Sequence, residues 1–170
     1  RDGRIRRVAA RTTYDRDGSV RSVSYSLERG TVLDIRSELR SNRSEARTEG
    51  GEADADPRVL DMAFSTDGRR LYVHFIDGAG ANVVHEYRVE ADRAITDSRR
   101  ELLRVPPPNN GEATDHTNAG GGLLIGPDGF LYVGIGDRTT DLAHEDEAPR
   151  STAQNPATLS GSLLRIDPDG

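Results

Sequence analysis

The residues whose types and order suit chemistry best run from Asp115 to Asp137. Asp115-His116-Thr117-Asn118 leads into the triplet Gly120-Gly121-Gly122, an apolar run, the turn Pro127-Asp128-Gly129, and a strand that ends on Gly136-Asp137. So tight a turn between two apolar runs predicts a β-hairpin, and the lone carboxylate at its end sits where loops carry function. On these residues alone Asp137 is equally explained as capping its own turn. The glycine triplet could cradle a phosphate, but nothing helical follows it, and close backbone approach accounts for it better. His144-Glu145-Asp146-Glu147 has the composition of a metal cluster, yet an acidic run in a polar loop reads as a solvated face, so no metal ligand is assigned. His74 and His85 fall inside strand patterns and read as half-buried or solvent-facing scaffold. Asp67-Gly68 and Asp128-Gly129 read as turn formers.

The chain has to position these groups with little apolar material. Of its 170 residues 34% are hydrophobic and 31% charged, with 18 Gly and 8 Pro. That balance favours short strands and many loops over a helical bundle. The net charge of −6 and the lack of any basic stripe interleaved with aromatics argue against a nucleic-acid partner. All 23 basic residues are Arg, which reads as coding bias of the source genome. Without cysteine there is no disulfide and no thiolate metal site. No apolar run reaches the ~20 residues of a membrane span, and no signal peptide is recognised.

Period-2 alternation supplies the elements. Ile5 and Val8, then Val20, Val23, Tyr25 and Leu27, then Val32, Leu33 and Ile35 predict short strands punctuated by Asp17-Gly18 and Arg29-Gly30. Residues 37–56 read as a long surface loop with a helical turn near Ser37 to Arg40. From Val59, VLDMAF, LYVHF and NVVHEYRV predict three strands joined by Asp-Gly turns, an antiparallel meander. Residues 91–100 read as a polar connection, Glu101 to Val105 as a further strand, and Pro106-Pro107-Pro108 as a rigid loop. After a polar stretch from Arg138, Ser162 to Ile166 predicts a last strand before Asp167-Pro168-Asp169-Gly170.

Two of these units repeat. MAFSTDGRRLYVHFID at Met62 to Asp77 matches LLIGPDGFLYVGIGD at Leu123 to Asp137, about sixty residues on: apolar run, Asp-Gly turn, Leu-Tyr-Val, terminal Asp. Strand-turn-strand units at such a period predict β-propeller blades. The expected fold is therefore all-β, a partial propeller of antiparallel four-stranded blades, with residues 1–170 forming one incomplete domain. Ending on a turn without its partner strand, and beginning without Met, the chain is expected to be cut at both ends.

GRIRRV, VLDIRSEL, VLDMAFSTDGRRLYVHF, VVHEYRV, GGGLLIGPDGFLYVGIGD and AQNPATLSGSLLRIDPDG together resemble, in order, the amino-terminal half of the PQQ-dependent soluble aldose dehydrogenases, the glucose/sorbosone dehydrogenase family. The last two blocks carry most of the specificity. The resemblance implies a six-bladed propeller whose axial cleft binds pyrroloquinoline quinone and calcium. It implies a His that takes the proton of the sugar C1 hydroxyl, assisted by an Asp, while hydride passes to the quinone. Carried over, the Asp is Asp137. The family's His falls nineteen residues earlier, on Asn118, and His116 reaches the place only if the loop is longer before Gly120 and Gly121. Asp56 is the nearest match to a cleft-facing residue that the family carries before this apolar run, with Arg58 where the family has Gly.

The expected function is thus part of an aldose dehydrogenase, periplasmic or secreted, with a sugar substrate and an external electron acceptor, and by itself inactive for want of the cofactor contacts beyond Gly170. Expected site residues are Asp137, His116 and Asn118 for catalysis, and Asp56, Gly120 and Gly121 against the cofactor. The competing reading is a non-catalytic propeller of the same fold that has lost its base. A lactonase-like propeller would need several inward carboxylates, and only Asp137 is clearly placed.

Overall fold

A computed structural model describes residues 3–28, 30–40, 57–107, 118–137, 153 and 155–170. Strands dominate and every described pairing is antiparallel. In chain order they are β1 (Arg4–Ile5), β2 (Val8–Tyr14), β3 (Val20–Leu27) and β4 (Leu33–Asp34), then the one-turn helix α1 (Arg36–Arg40), then β5 (Arg58–Phe64), β6 (Arg70–Ile76), β7 (Asn82–Glu90), β8 (Arg93–Ala94), β9 (Arg100–Val105), β10 (Gly120–Ile125), β11 (Leu131–Ile135) and β12 (Leu163–Ile166).

The meander expected from Val59 is present as the sheet β5-β6-β7-β9, with β8 a short extension on the far end of β7. The second repeat opens a second sheet, β10-β11-β12. Corresponding residues do the same work in both. Met62 stands opposite Val73 as Leu123 stands opposite Val133. The Ser65 amide bonds the Arg70 carbonyl at 2.9 Å, as the Gly126 amide bonds the Phe130 carbonyl at 2.8 Å. In each turn the Asp accepts a bond from the backbone amide two residues on, Asp67 from Arg69 and Asp128 from Phe130. These are two blades of a partial β-propeller.

The core lies between layers. One face of β6 and β7 (Leu71, Val73, Phe75, Val83, Tyr87) packs on Ile5, Leu33, Ile35 and Leu39 from β1, β4 and α1. The opposite face (Tyr72, Val84) packs with Val105 on Leu123, Leu131, Val133 and Ile135 of the second blade. A strand covered on both sides has no solvent face to spare for polar residues, which is why LYVHFI does not alternate. One expectation is corrected on this ground. His74 and His85 are buried, at 0% and 5% exposure, because they lie on β6 and β7 inside this sandwich. The helical turn expected near Ser37 to Arg40 is present as α1, which buries Glu38 and Leu39 against the first blade. The connection at 91–100 contains β8 and a short 3-10 turn, Thr96–Ser98. By contrast the hairpin β2–β3 stands out from the body, with Tyr14, Val20 and Tyr25 exposed. Arg7 ties its base down through ion pairs to Glu28 and, at 2.6 Å, to Asp92.

Candidate functional site

The corner holding Asp137 is built by backbone contact. Strand β10 enters through Asn118, exposed and in the left-handed region at φ 53°, which Asn tolerates through its short polar side chain. The Gly136 amide then bonds the Ala119 carbonyl at 3.3 Å, and Gly120 pairs with Ile135. The fit is so close that a Cβ on Gly136 would stand 1.6 Å from the Asn118 carbonyl oxygen, and one on Gly120 would stand 2.5 Å from the Gly136 nitrogen. Glycine at 120 and 136 is therefore a steric requirement, and it is what brings the Asn118 backbone against the residue preceding Asp137.

Between Gly120 and Leu123 the register slips, three residues of β10 spanning two of β11, which is a β-bulge. Gly121 and Gly122 sit on this bulge where an added Cβ would meet nothing within 4 Å. They leave an open strip of bare backbone next to the corner. On the other side the Gly161 amide bonds the Gly136 carbonyl at 3.0 Å, and a Cβ on Gly161 would lie 3.4 Å from that of Asp137. Asp137 is half-buried between these two glycine contacts.

The equivalent carboxylate of the first repeat shows the other use of the position. Asp77 is fully buried; one oxygen accepts bonds from the Ala79 and Ala81 amides, each at 3.0 Å, and the other meets Arg104 at 2.7 Å. There the Asp caps its own turn, as the bland reading of Asp137 would have it.

Of the expected site residues, the structure brings Asn118, Gly120, Gly121 and Asp137 into one corner. His116 and Asp56 lie outside the described residues. Arg58, which follows Asp56 and Pro57, starts β5 opposite Ile76. With Arg4, Arg6, Leu60, Asp61 and Met62 it lines an open cleft of about 480 Å³ along β5. Among the described residues no three His, Asp or Glu side chains converge as a metal set.

The sequence reading passed over Asp61. Its carboxylate accepts the Leu123 amide at 2.7 Å and, through its other oxygen, the Met62 amide at 2.8 Å, so it links the first strands of both blades. The available signal was an acid inside the apolar run VLDMAF. Opposite it stands His74, whose Nε2 meets the Asn82 Oδ1 at 2.9 Å. Burial pushes the His74 imidazole below its ordinary value, against the weaker opposing pulls of Asn82 and Asp61. Among the described residues its Nδ1 and the Asn82 Nδ2 have no partner. The profile of the Glucose / Sorbosone dehydrogenase family matches residues 4–170.

Proposed function

The chain belongs to the glucose/sorbosone dehydrogenase family, and on that footing we propose that its Asn118–Asp137 corner is the base-and-carboxylate corner of a PQQ-dependent aldose dehydrogenase. The observation that supports the reading is the close backbone approach of Asn118 to Gly136, the residue before Asp137. In this reading a sugar enters with its anomeric hydroxyl toward the corner. The base removes the hydroxyl proton as C1 loses hydride, and the product is the lactone. PQQ, when bound, is the hydride acceptor.

The chain's own groups divide the rest of the task. Asp137 orients the base and stabilises the charge it gains. Asn118 donates or accepts a hydrogen bond but takes up no proton near neutral pH, so the base is assigned to His116. The bare backbone at Gly121 and Gly122 offers a flat, side-chain-free surface to a planar ring system. The described residues supply no ligand set for calcium, and no step is assigned to it.

The second reading, a propeller of this fold without catalysis, is favoured by Asn118 itself, exposed and held in the left-handed region. The two are separated by reconstituting the full-length gene product with PQQ and calcium and following dye reduction by aldoses, alongside His116→Ala, Asp137→Ala and Asn118→His. The dehydrogenase reading expects turnover that both alanine variants abolish. Turnover absent from the wild type but gained in Asn118→His establishes the second reading. Absence of both PQQ binding and turnover in every protein overturns the first.

A further inference from the structure

The candidate corner is held by more than its own two strands. We propose that Asp61 is a positioning residue for this site: by taking the Leu123 amide across the gap between blades it fixes the Gly120–Leu123 bulge, and through the bulge the corner of Asn118 and Asp137. The inference rests on the proposed reading of the corner.

The geometry demands an acceptor at this point. Leu123 is buried and is the first residue to resume the β10–β11 ladder after the slip at the glycines. Its amide bonds away from β11, to the Asp61 carboxylate at 2.7 Å. A buried amide without an acceptor is strongly disfavoured, so the bulge and its bond to Asp61 are formed together. Asp61 is itself delivered by a slip, since Val59 stands opposite Phe75 and Asp61 opposite His74, leaving Leu60 as the extra residue. Two bulges thus face each other, with one carboxylate between them. The second oxygen satisfies the Met62 amide at 2.8 Å, on the strand that Asp61 belongs to. Two amides converging on one side chain call for two acceptor oxygens and no donor, a requirement that Asp meets and Asn does not.

The consequence runs along β10. Only Gly122, Gly121 and Gly120 separate Leu123 from Ala119, whose carbonyl accepts the Gly136 amide. Glycines have the widest backbone freedom of any residue, and with Gly120 already paired to Ile135 the two left, Gly121 and Gly122, are ordered by the fixed points on either side of them. One is the contact of Asn118 and Ala119 with Gly136; the other is Asp61.

The test uses the full-length protein labelled for NMR, with Asp61→Ala and Asp61→Asn. In Asp61→Ala the Leu123 amide should exchange at least tenfold faster relative to the ladder amides of Val133 and Ile135, and the Gly120, Gly136 and Asp137 resonances should shift or broaden. Asp61→Asn, which keeps one acceptor and places a donor beside the other amide, should lie between Asp61→Ala and the wild type. With PQQ and an aldose, turnover number should fall in the same order with KM changed less. If Leu123 loses protection only in step with the whole sheet, or the corner resonances stay in place, the positioning role is overturned. It is equally overturned if the corner loosens while turnover holds. Should the wild type lack turnover while the corner still loosens in Asp61→Ala, the tie stands and the catalytic reading of the corner is what has failed.

Discussion

Replacing Gly136 by Ala adds one methyl group and tests the geometry of the corner directly. That methyl would stand 1.6 Å from the Asn118 carbonyl oxygen and 2.5 Å from the Gly120 nitrogen, against a floor of 3.0 Å for real contacts. The Asn118 carbonyl must therefore retreat by about 1.4 Å, and because both obstacles are backbone, no rotamer change relieves them. Forcing such a shift into a packed site costs about 1–3 kcal/mol. In a domain of this size that lowers the unfolding midpoint by roughly 3–10 °C. A displacement on the order of 1 Å in a reacting pair lowers turnover by about 100-fold, so activity should suffer more than stability. Gly129→Ala is the control: φ is 81° there and nothing lies within 4 Å, so it brings backbone strain without a clash, far from the corner. It should lower stability by about 1 kcal/mol and leave turnover intact. The assays are calorimetric unfolding and dye-coupled aldose oxidation on the reconstituted full-length protein. A Gly136→Ala protein that matches wild type in both would show that Asn118 and Gly136 are not in contact, and the assignment of the corner would fall with it.

Further consequences follow from the buried polar groups. Arg104→Ala removes the 2.7 Å ion pair from the fully buried Asp77; with Arg104 about a third exposed, the loss should be about 2 kcal/mol in urea unfolding, and an unchanged midpoint would refute the pairing. His74→Leu orphans the Asn82 side chain in the layer between blades and should cost about 2 kcal/mol, while adding Asn82→Leu should recover part of it; strictly additive losses would show that the two are not coupled. Burial holds His74 and His85 below their ordinary value of 6.5, so each binds its proton more readily unfolded than folded. Their contribution is therefore complete above about pH 6.5 and is lost as pH falls, at up to about 1.4 kcal/mol per pH unit for each histidine. Denaturant midpoints at pH 8 and pH 5 test this, and equal midpoints would contradict it.

Much of the fold could be read from the sequence because two signals coincide, period-2 runs and Asp-Gly turns. In Met62–Asp77 and Leu123–Asp137 both are strong, and the hairpins fall where the pattern puts them. The pattern is weaker where burial depends on a neighbour distant in sequence. Nothing local in LYVHFI says that His74 is enclosed, since the layer covering its face comes from residues 123–135. Likewise Val8, Tyr14 and Tyr25 alternate as half-buried strands do, yet their hairpin leaves them exposed. Asp61 shows the same limit at the site. In a strand read by itself it is one polar residue among apolar ones, and its partner amide lies 62 residues away. The corner was more legible, because Gly120, Gly136 and Asp137 are contiguous with the strands that make it.

The internal repeat also explains how one sequence position serves two ends. After Asp77 the chain turns back within five residues, and the carboxylate is consumed by that turn, by two amides and by Arg104. After Asp137 the next described strand to pair with β11 is β12, which begins at Leu163. Close to it lies backbone, Gly136 against Asn118 on one side and Gly161 on the other. A tight turn makes a terminal Asp structural. At Asp137 the same strand end adjoins a glycine-walled corner, close to Gly136 and Gly161. The same strand end thus closes a tight turn in the first blade and adjoins a glycine-walled corner in the second, with the hairpin itself unchanged.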